Sequence, residues 1–118
     1  MAIRPNSPNM ARASLPRPKA VLRAQVIKSL AHPSRIQMVD ALGAGELCVC
    51  ELAEIVGADM STVSKHLVLL KASGLVTVEK RGLKQYYSLK CPCLAAFFQC
   101  VDDINEKNAL ALRDACAL

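Results

Sequence analysis

The chain has 118 residues, room for one domain, and 53% of them are apolar with a mean hydropathy of +0.25. A monomer of this size buries only a modest core, so part of that apolar surface is expected to lie between subunits. Fifteen Lys and Arg against ten Asp and Glu give a formal charge of +5, which suits a polyanionic partner, while 3% aromatics and no Trp exclude stacking platforms for single strands.

Residues 1–18 hold Pro5, Pro8, Pro16 and Pro18 among scattered Ser, Asn and Arg. They are expected to form a flexible basic arm, with Arg4, Arg12 and Arg17 available to phosphates, ahead of one domain over residues 19–118. Leu22, Val26 and Leu30, with Ile27 beside them, predict a helix over residues 19–31. His32-Pro33 breaks it, and Pro33 suits the first turn of a second helix that turns Ile36, Val39 and Leu42 inward and ends at Gly43, Ala44 and Gly45. A third, short helix is expected over residues 48–56, carrying Leu52, Ile55 and Val56. Gly57, Ala58 and Asp59 then make a turn of helix-turn-helix length.

In the stretch DMSTVSKHLVLLKASGL, Met60, Val63, Leu67 and Leu70 recur on one helical face, Asp59 is a good N-cap and Gly74 is placed to end the helix. The opposite face of its first two turns carries only small or cationic groups, Ser61, Thr62, Ser64 and Lys65. Such a face can approach phosphates and base edges closely, as the N-terminal half of a recognition helix does in the major groove. Val68, Leu69 and Ala72 leave no polar face further along, so that half is expected to be covered by other elements.

After Gly74 the pattern turns β-rich. Residues 75–78 and 85–89 read as strands joined by a turn at Arg81-Gly82. A hairpin at this place is a wing, with Lys80, Arg81 and Lys84 at its tip and flanks within reach of the DNA backbone or a minor groove. The helical period returns at Leu94, with Phe97, Phe98, Val101, Ile104 and Leu112. One small domain cannot easily bury both this helix and the first. A two-fold homodimer through the N- and C-terminal helices would bury them and would place two recognition helices on a palindromic site. The expected fold class is mainly α with a small β-hairpin, a winged helix-turn-helix.

No apolar run approaches the roughly eighteen residues of a spanning helix, and no secretory signal is read at the N-terminus. The expected location is the cytoplasm, where Cys48, Cys50, Cys91, Cys93, Cys100 and Cys116 stay reduced and clustered cysteines bind metal or sense redox state.

The ordered motifs LAHPSRIQMVDAL (Leu30 to Leu42), ELCVCELA (Glu46 to Ala53), STVSKHLVLLKASGLV (Ser61 to Val76) and YYSL (Tyr86 to Leu89) resemble the ArsR/SmtB family of winged-helix repressors. The resemblance implies a homodimer, not an enzyme, that binds double-stranded operator DNA when unliganded and lets go when a metal or metalloid binds. ELCVCEL is similar to the metal-binding box of the family's arsenic- and cadmium-type sensors, which implies Cys48 and Cys50 as thiolate ligands. The third cysteine that arsenic sensors of this type often carry is replaced by Ala53. Cys91 and Cys93 with Cys100 resemble the variant sensors whose cysteines begin the last helix.

Soft thiolates suit As(III) or Sb(III) as the inducer ligand, since each is satisfied by about three sulfurs in a pyramid. A helix N-terminus is expected to lower a cysteine pKa and supply thiolate at neutral pH. On a regular helix Cys48 and Cys50 would point apart, so a third ligand must come from elsewhere. Cys93 and Cys100, if both helical, would stand roughly 10 Å apart along the axis. They share an ion only if Cys91 and Cys93 precede the helix. His66 stands where the family has a recognition-helix histidine and is expected to support the helix or hydrogen-bond a phosphate. Asp102, Asp103 and Glu106, with no histidine on that helix, read as a solvated face. Two alternatives are a Cd(II) or Pb(II) sensor and a thiol redox or persulfide sensor of the same fold. A thiol enzyme is disfavoured by the absence of C-x-x-C.

Overall fold

Proline and small capping groups set where the helices begin. The computed structural model describes residues 13–117. Its first helix, α1 (Arg17–Leu30), has Pro16 as N-cap and Pro18 in the first turn, where a missing N–H breaks no intrahelical bond. It therefore starts at Arg17 rather than Lys19, and the arm's Arg4 and Arg12 lie outside the described residues. The same device opens α2 (Pro33–Leu42): Pro33 is its first residue, and Nδ1 of the N-cap His32 accepts from the Ser34 N–H at 3.0 Å. Next come β1 (Leu47–Cys48) and α3 (Val49–Val56), which ends at Gly57 in the left-handed region at φ 76°. In α4 (Met60–Ala72) the carboxylate of Asp59 accepts the Thr62 N–H at 2.7 Å. The hairpin β2 (Val76–Arg81) and β3 (Lys84–Leu89) and the last helix, α5 (Leu94–Ala117), complete the order.

The wing is one strand larger than expected. The antiparallel sheet has the order β1-β3-β2, with Leu47 opposite Tyr87 and Cys48 opposite Tyr86. A two-residue strand is too short to show a period of two. Cys48, expected inside the third helix, is instead the end of β1 and the N-cap of α3.

Met38, Val39, Leu52, Val63, Leu67 and Leu70 are fully buried where α2, α3 and α4 meet, and Leu75, Val76 and Tyr87 close the core from the sheet side. The inward expectation for Ile36 fails, and Ile55 and Met60, part of the apolar patterns of α3 and α4, are exposed as well. Ile36, Ile55 and Met60 are 41%, 46% and 54% exposed. Ile36 lines a groove against α1 and α5, and Met60, first in α4, borders the cleft under the wing. Nor is the second half of α4 covered: Val68, Leu69 and Ala72 are exposed. The helix rests on its neighbours through the single stripe of Val63, Leu67 and Leu70, and a 3.6-residue period turns these three outward.

Only Leu94 and Phe98 of α5 pack on the core, and residues 99–116 are all exposed. On α1 only Leu30 is buried, while Leu22 and Ile27 face outward. Between the roots of these helices lies an apolar groove of about 360 Å³ lined by Ile27, Ile36, Phe97 and Val101.

Candidate nucleic-acid interface and thiol site

The Asp59 cap sets how α4 is presented. Its carboxylate accepts the Thr62 N–H and also the Ser61 hydroxyl at 3.0 Å, and these bonds, the Thr62 N–H foremost, hold its pKa below the usual carboxylate range. Ser61, Thr62, Ser64 and Lys65 are all exposed on the first two turns. His66 is placed differently. It is half-buried, its ring 4.5 Å from that of His32. The Arg35 guanidinium donates to its Nδ1 at 3.3 Å. Burial first, then His32 and Arg35, push its pKa down. The imidazole is thus wedged against His32 and Arg35 at the start of α2. The Nε of Arg35 is buried with no hydrogen-bond partner.

The three wing cations also differ. Arg81 donates to both carboxylate oxygens of Glu46 at 2.8 and 2.9 Å, pairs with Glu79, and lies 4.8 Å over the Tyr86 ring. These carboxylates push its pKa further up, and the guanidinium is occupied in tying the hairpin to the segment before β1. Lys80 and Lys84 have no ion-pair partner among the described residues. Sequence reasoning missed Glu46, because its partner lies 35 positions away.

Cys48 and Cys50 meet, with Sγ atoms 2.8 Å apart. The expectation that they diverge assumed both were helical, whereas Cys48 is an extended N-cap at φ −88°, ψ 169°. Glu51 closes a capping box, its carboxylate accepting the Cys48 N–H at 3.0 Å while its own N–H faces the Cys48 sulfur. Cys-x-x-Glu imitates the Ser-x-x-Glu box, a signal that was present in the sequence. The expected depression of the thiol pKa is not found for Cys48. Its hydrogen bond with Cys50, aided by burial, raises the pKa more than the Glu51 N–H lowers it.

The pair borders a cleft of about 440 Å³ whose other walls include Met60 and Ser64 of α4 and Lys80, Leu83 and Lys84 of the wing. Nothing in the sequence pointed to Met60 or Leu83 as its neighbours. The second cluster lies elsewhere. Cys91 and Cys93 precede α5 with Sγ atoms 3.2 Å apart, and their hydrogen bond raises the Cys91 pKa. Cys100 is exposed inside α5 and Cys116 near its end. Among the described residues no three His, Cys, Asp or Glu side chains gather as a metal-holding group, so Cys100 does not join the pair. Each pair brings two sulfurs together.

The model of the bacterial regulatory protein, arsR family, matches residues 32–78, from the cap of α2 into β2. The arsenical resistance operon repressor of Staphylococcus xylosus is 39% identical over 83 residues, 70% of this chain and 80% of that protein. The chain belongs to the ArsR family. A Staphylococcus aureus homologue of the cadmium resistance transcriptional regulatory protein CadC is 38% identical over 82 residues, 69% of this chain and 68% of that one. Among solved structures, the homodimeric winged helix-turn-helix DNA-binding domain Mb0332 from Mycobacterium bovis superposes with a TM-score of 0.67 at 32% identity, covering 83% of this chain and 94% of that one. As an ArsR-family transcriptional regulator with a winged helix-turn-helix, the protein has α4 as its recognition helix and β2–β3 as its wing. Among the described residues no helix is long and apolar enough to cross a membrane.

Proposed function

We propose that this ArsR-family regulator is a cytoplasmic, homodimeric repressor that holds double-stranded operator DNA and releases it when As(III) or Sb(III) is bound by cysteine thiolates. The observation that carries the reading is the placement of the Cys48 and Cys50 sulfurs in a cleft bordered by both DNA-reading elements, with Ser64 on one wall and Lys80 and Lys84 on another. Ser61, Thr62, Ser64 and Lys65 reach base edges and nearby phosphates, Lys80 and Lys84 neutralise backbone charge, and His66 and Arg81 position the helix and the wing. An ion that draws both sulfurs into its own geometry displaces the start of α3 against α4 and the wing. To move a population from 1:99 to 99:1 it must favour the released form by about 5.5 kcal/mol.

Relatives named for arsenical and for cadmium resistance leave the ion to be decided by measurement. A labelled operator fragment, titrated under reducing conditions, is expected to be released by As(III) and Sb(III) and retained with Zn(II). Release by Cd(II) or Pb(II) alone would replace the metalloid by a heavier divalent ion. Substituting Cys48 and Cys50 by Ser is expected to abolish release, whereas substituting Cys91 and Cys93 is expected to leave it. The reverse result would move the sensor to the junction before α5.

The exposed Cys91 and Cys93 sulfurs at 3.2 Å favour a second reading, thiol redox sensing. Peroxide would take two electrons from the pair, forming one disulfide and two waters. Release by peroxide in the absence of any ion is its test.

A further inference from the structure

Cys48 and Cys50 offer two sulfurs, and trivalent arsenic is satisfied by about three. No third ligating side chain gathers with them among the described residues. Ala53, one turn on, is packed in the core at 8% exposure. The space beside the sulfurs is large instead. A cleft of about 440 Å³ falls in the range of roughly 300–1,000 Å³ typical of pockets for small organic ligands, far more than a bare ion needs. Its lining is also selective: Lys80 and Lys84 supply two ammonium groups, and Ser64 and Gln85 supply hydrogen-bonding groups. Neither lysine has an ion-pair partner among the described residues. The Glu51 carboxylate accepts the Cys48 N–H and also feels the Lys84 charge, without forming an ion pair with it.

We propose that the third sulfur comes from a low-molecular-weight thiol bearing carboxylates, so that the inducer is a metalloid–thiol adduct whose acidic groups seat on Lys80 and Lys84. This inference rests on the metalloid reading of the Cys48/Cys50 site and adds to it the class of co-ligand. The chemistry is exchange without electron transfer. Arsenous acid, As(OH)₃, loses its three As–O bonds and gains three As–S bonds, two to the protein and one to the small thiol. Each thiol proton leaves with a hydroxide as water, and arsenic stays trivalent. The adduct's carboxylates occupy the ammonium groups that would otherwise neutralise DNA phosphates, which links occupancy of the cleft to loss of the wing's hold on the backbone.

The test uses the full-length protein with all six cysteines in place, beside a variant in which Cys91, Cys93, Cys100 and Cys116 are replaced by Ser, both kept reduced by a phosphine. As(III) binding is followed by As–S absorption and by the sulfur coordination number from X-ray absorption, with no added thiol, with glutathione, or with the cationic thiol cysteamine. Glutathione is expected to complete a three-sulfur shell and tighten binding by roughly tenfold or more, as charge-assisted contacts allow. Cysteamine should fall well short of it, and the double variant Lys80→Gln/Lys84→Gln should erase the difference. A three-sulfur shell from As(III) alone, or equal help from both thiols, overturns the proposal. Phenylarsine oxide, whose arsenic keeps one carbon and needs only two thiolates, tests the site itself. Tight binding of this probe alongside failure of the glutathione effect removes only the co-ligand; no binding of the probe removes the metalloid reading of Cys48 and Cys50 as well.

Discussion

Arg35 and His66 keep their contact only while the imidazole is neutral, since a guanidinium can donate but never accept. Burial, His32 and Arg35 together hold the His66 pKa below its ordinary value. A group whose folded pKa is depressed contributes stability above its unfolded pKa, about 6.5 for histidine, and loses it as pH falls through the folded value. The melting temperature is therefore expected to decline between pH 7.5 and pH 5, and His66→Gln should flatten that decline. Calorimetric melts over this range check it, and a His66→Gln profile parallel to that of the parent protein would refute it. Asp59, depressed in the same direction, acts only at lower pH, in the carboxylate range. The Cys48 thiol shows how one neighbour reverses an expectation: the dipole argument was sound for an isolated cap, but a second sulfur at 2.8 Å outweighs it.

Among the elements, the α3–α4 turn and the wing govern what reaches DNA. Gly57 sits at φ 76°, and a Cβ added there would meet no atom within 4 Å, so the cost of Gly57→Ala is backbone strain alone. A loss of about 1–2 kcal/mol is expected, read as a shift of the urea midpoint with an unchanged slope. The wing separates two kinds of cation. Lys84, without an ion-pair partner among the described residues, is expected to contact phosphate, so Lys84→Gln should reduce the slope of log K against log salt by about 0.9. Arg81 is held by Glu46 and Glu79. Arg81→Gln should weaken binding by loosening the hairpin while leaving that slope unchanged. Equal slope changes in the two variants would return Arg81 to the phosphate contacts.

For the whole molecule, the decisive feature is a helix with little to rest on. The 24-residue α5 runs about 36 Å and leaves Val101, Ile104 and Leu112 exposed, as α1 leaves Leu22 and Ile27. The homodimeric Mycobacterium bovis domain, at a TM-score of 0.67, supports the proposal that a second copy covers these faces. Ile104→Glu combined with Leu22→Glu is expected to yield a folded monomer by sedimentation with operator affinity reduced by orders of magnitude, because two half-sites are then no longer held by one body. A variant that stays dimeric would place the interface elsewhere.

The helix order, the turn of residues 57–59, the Asp59 cap and the hairpin were legible in the chain itself. Each depends on the period and identity of residues a few positions apart, where backbone geometry dictates which side chains meet. The exposure of Ser61, Thr62, Ser64 and Lys65 on one face of α4 was legible for the same reason. The meeting of Cys48 with Cys50 was not, because it depends on β1 pairing with a strand almost forty residues later, which takes Cys48 out of the helix. Likewise only tertiary structure engaged Arg81 with Glu46, turned His66 onto Arg35, and set Lys80 and Lys84 along the thiol cleft. Those contacts join segments whose separation carries no local signal, and packing of the sheet against α3 and α4 is what brings them within reach.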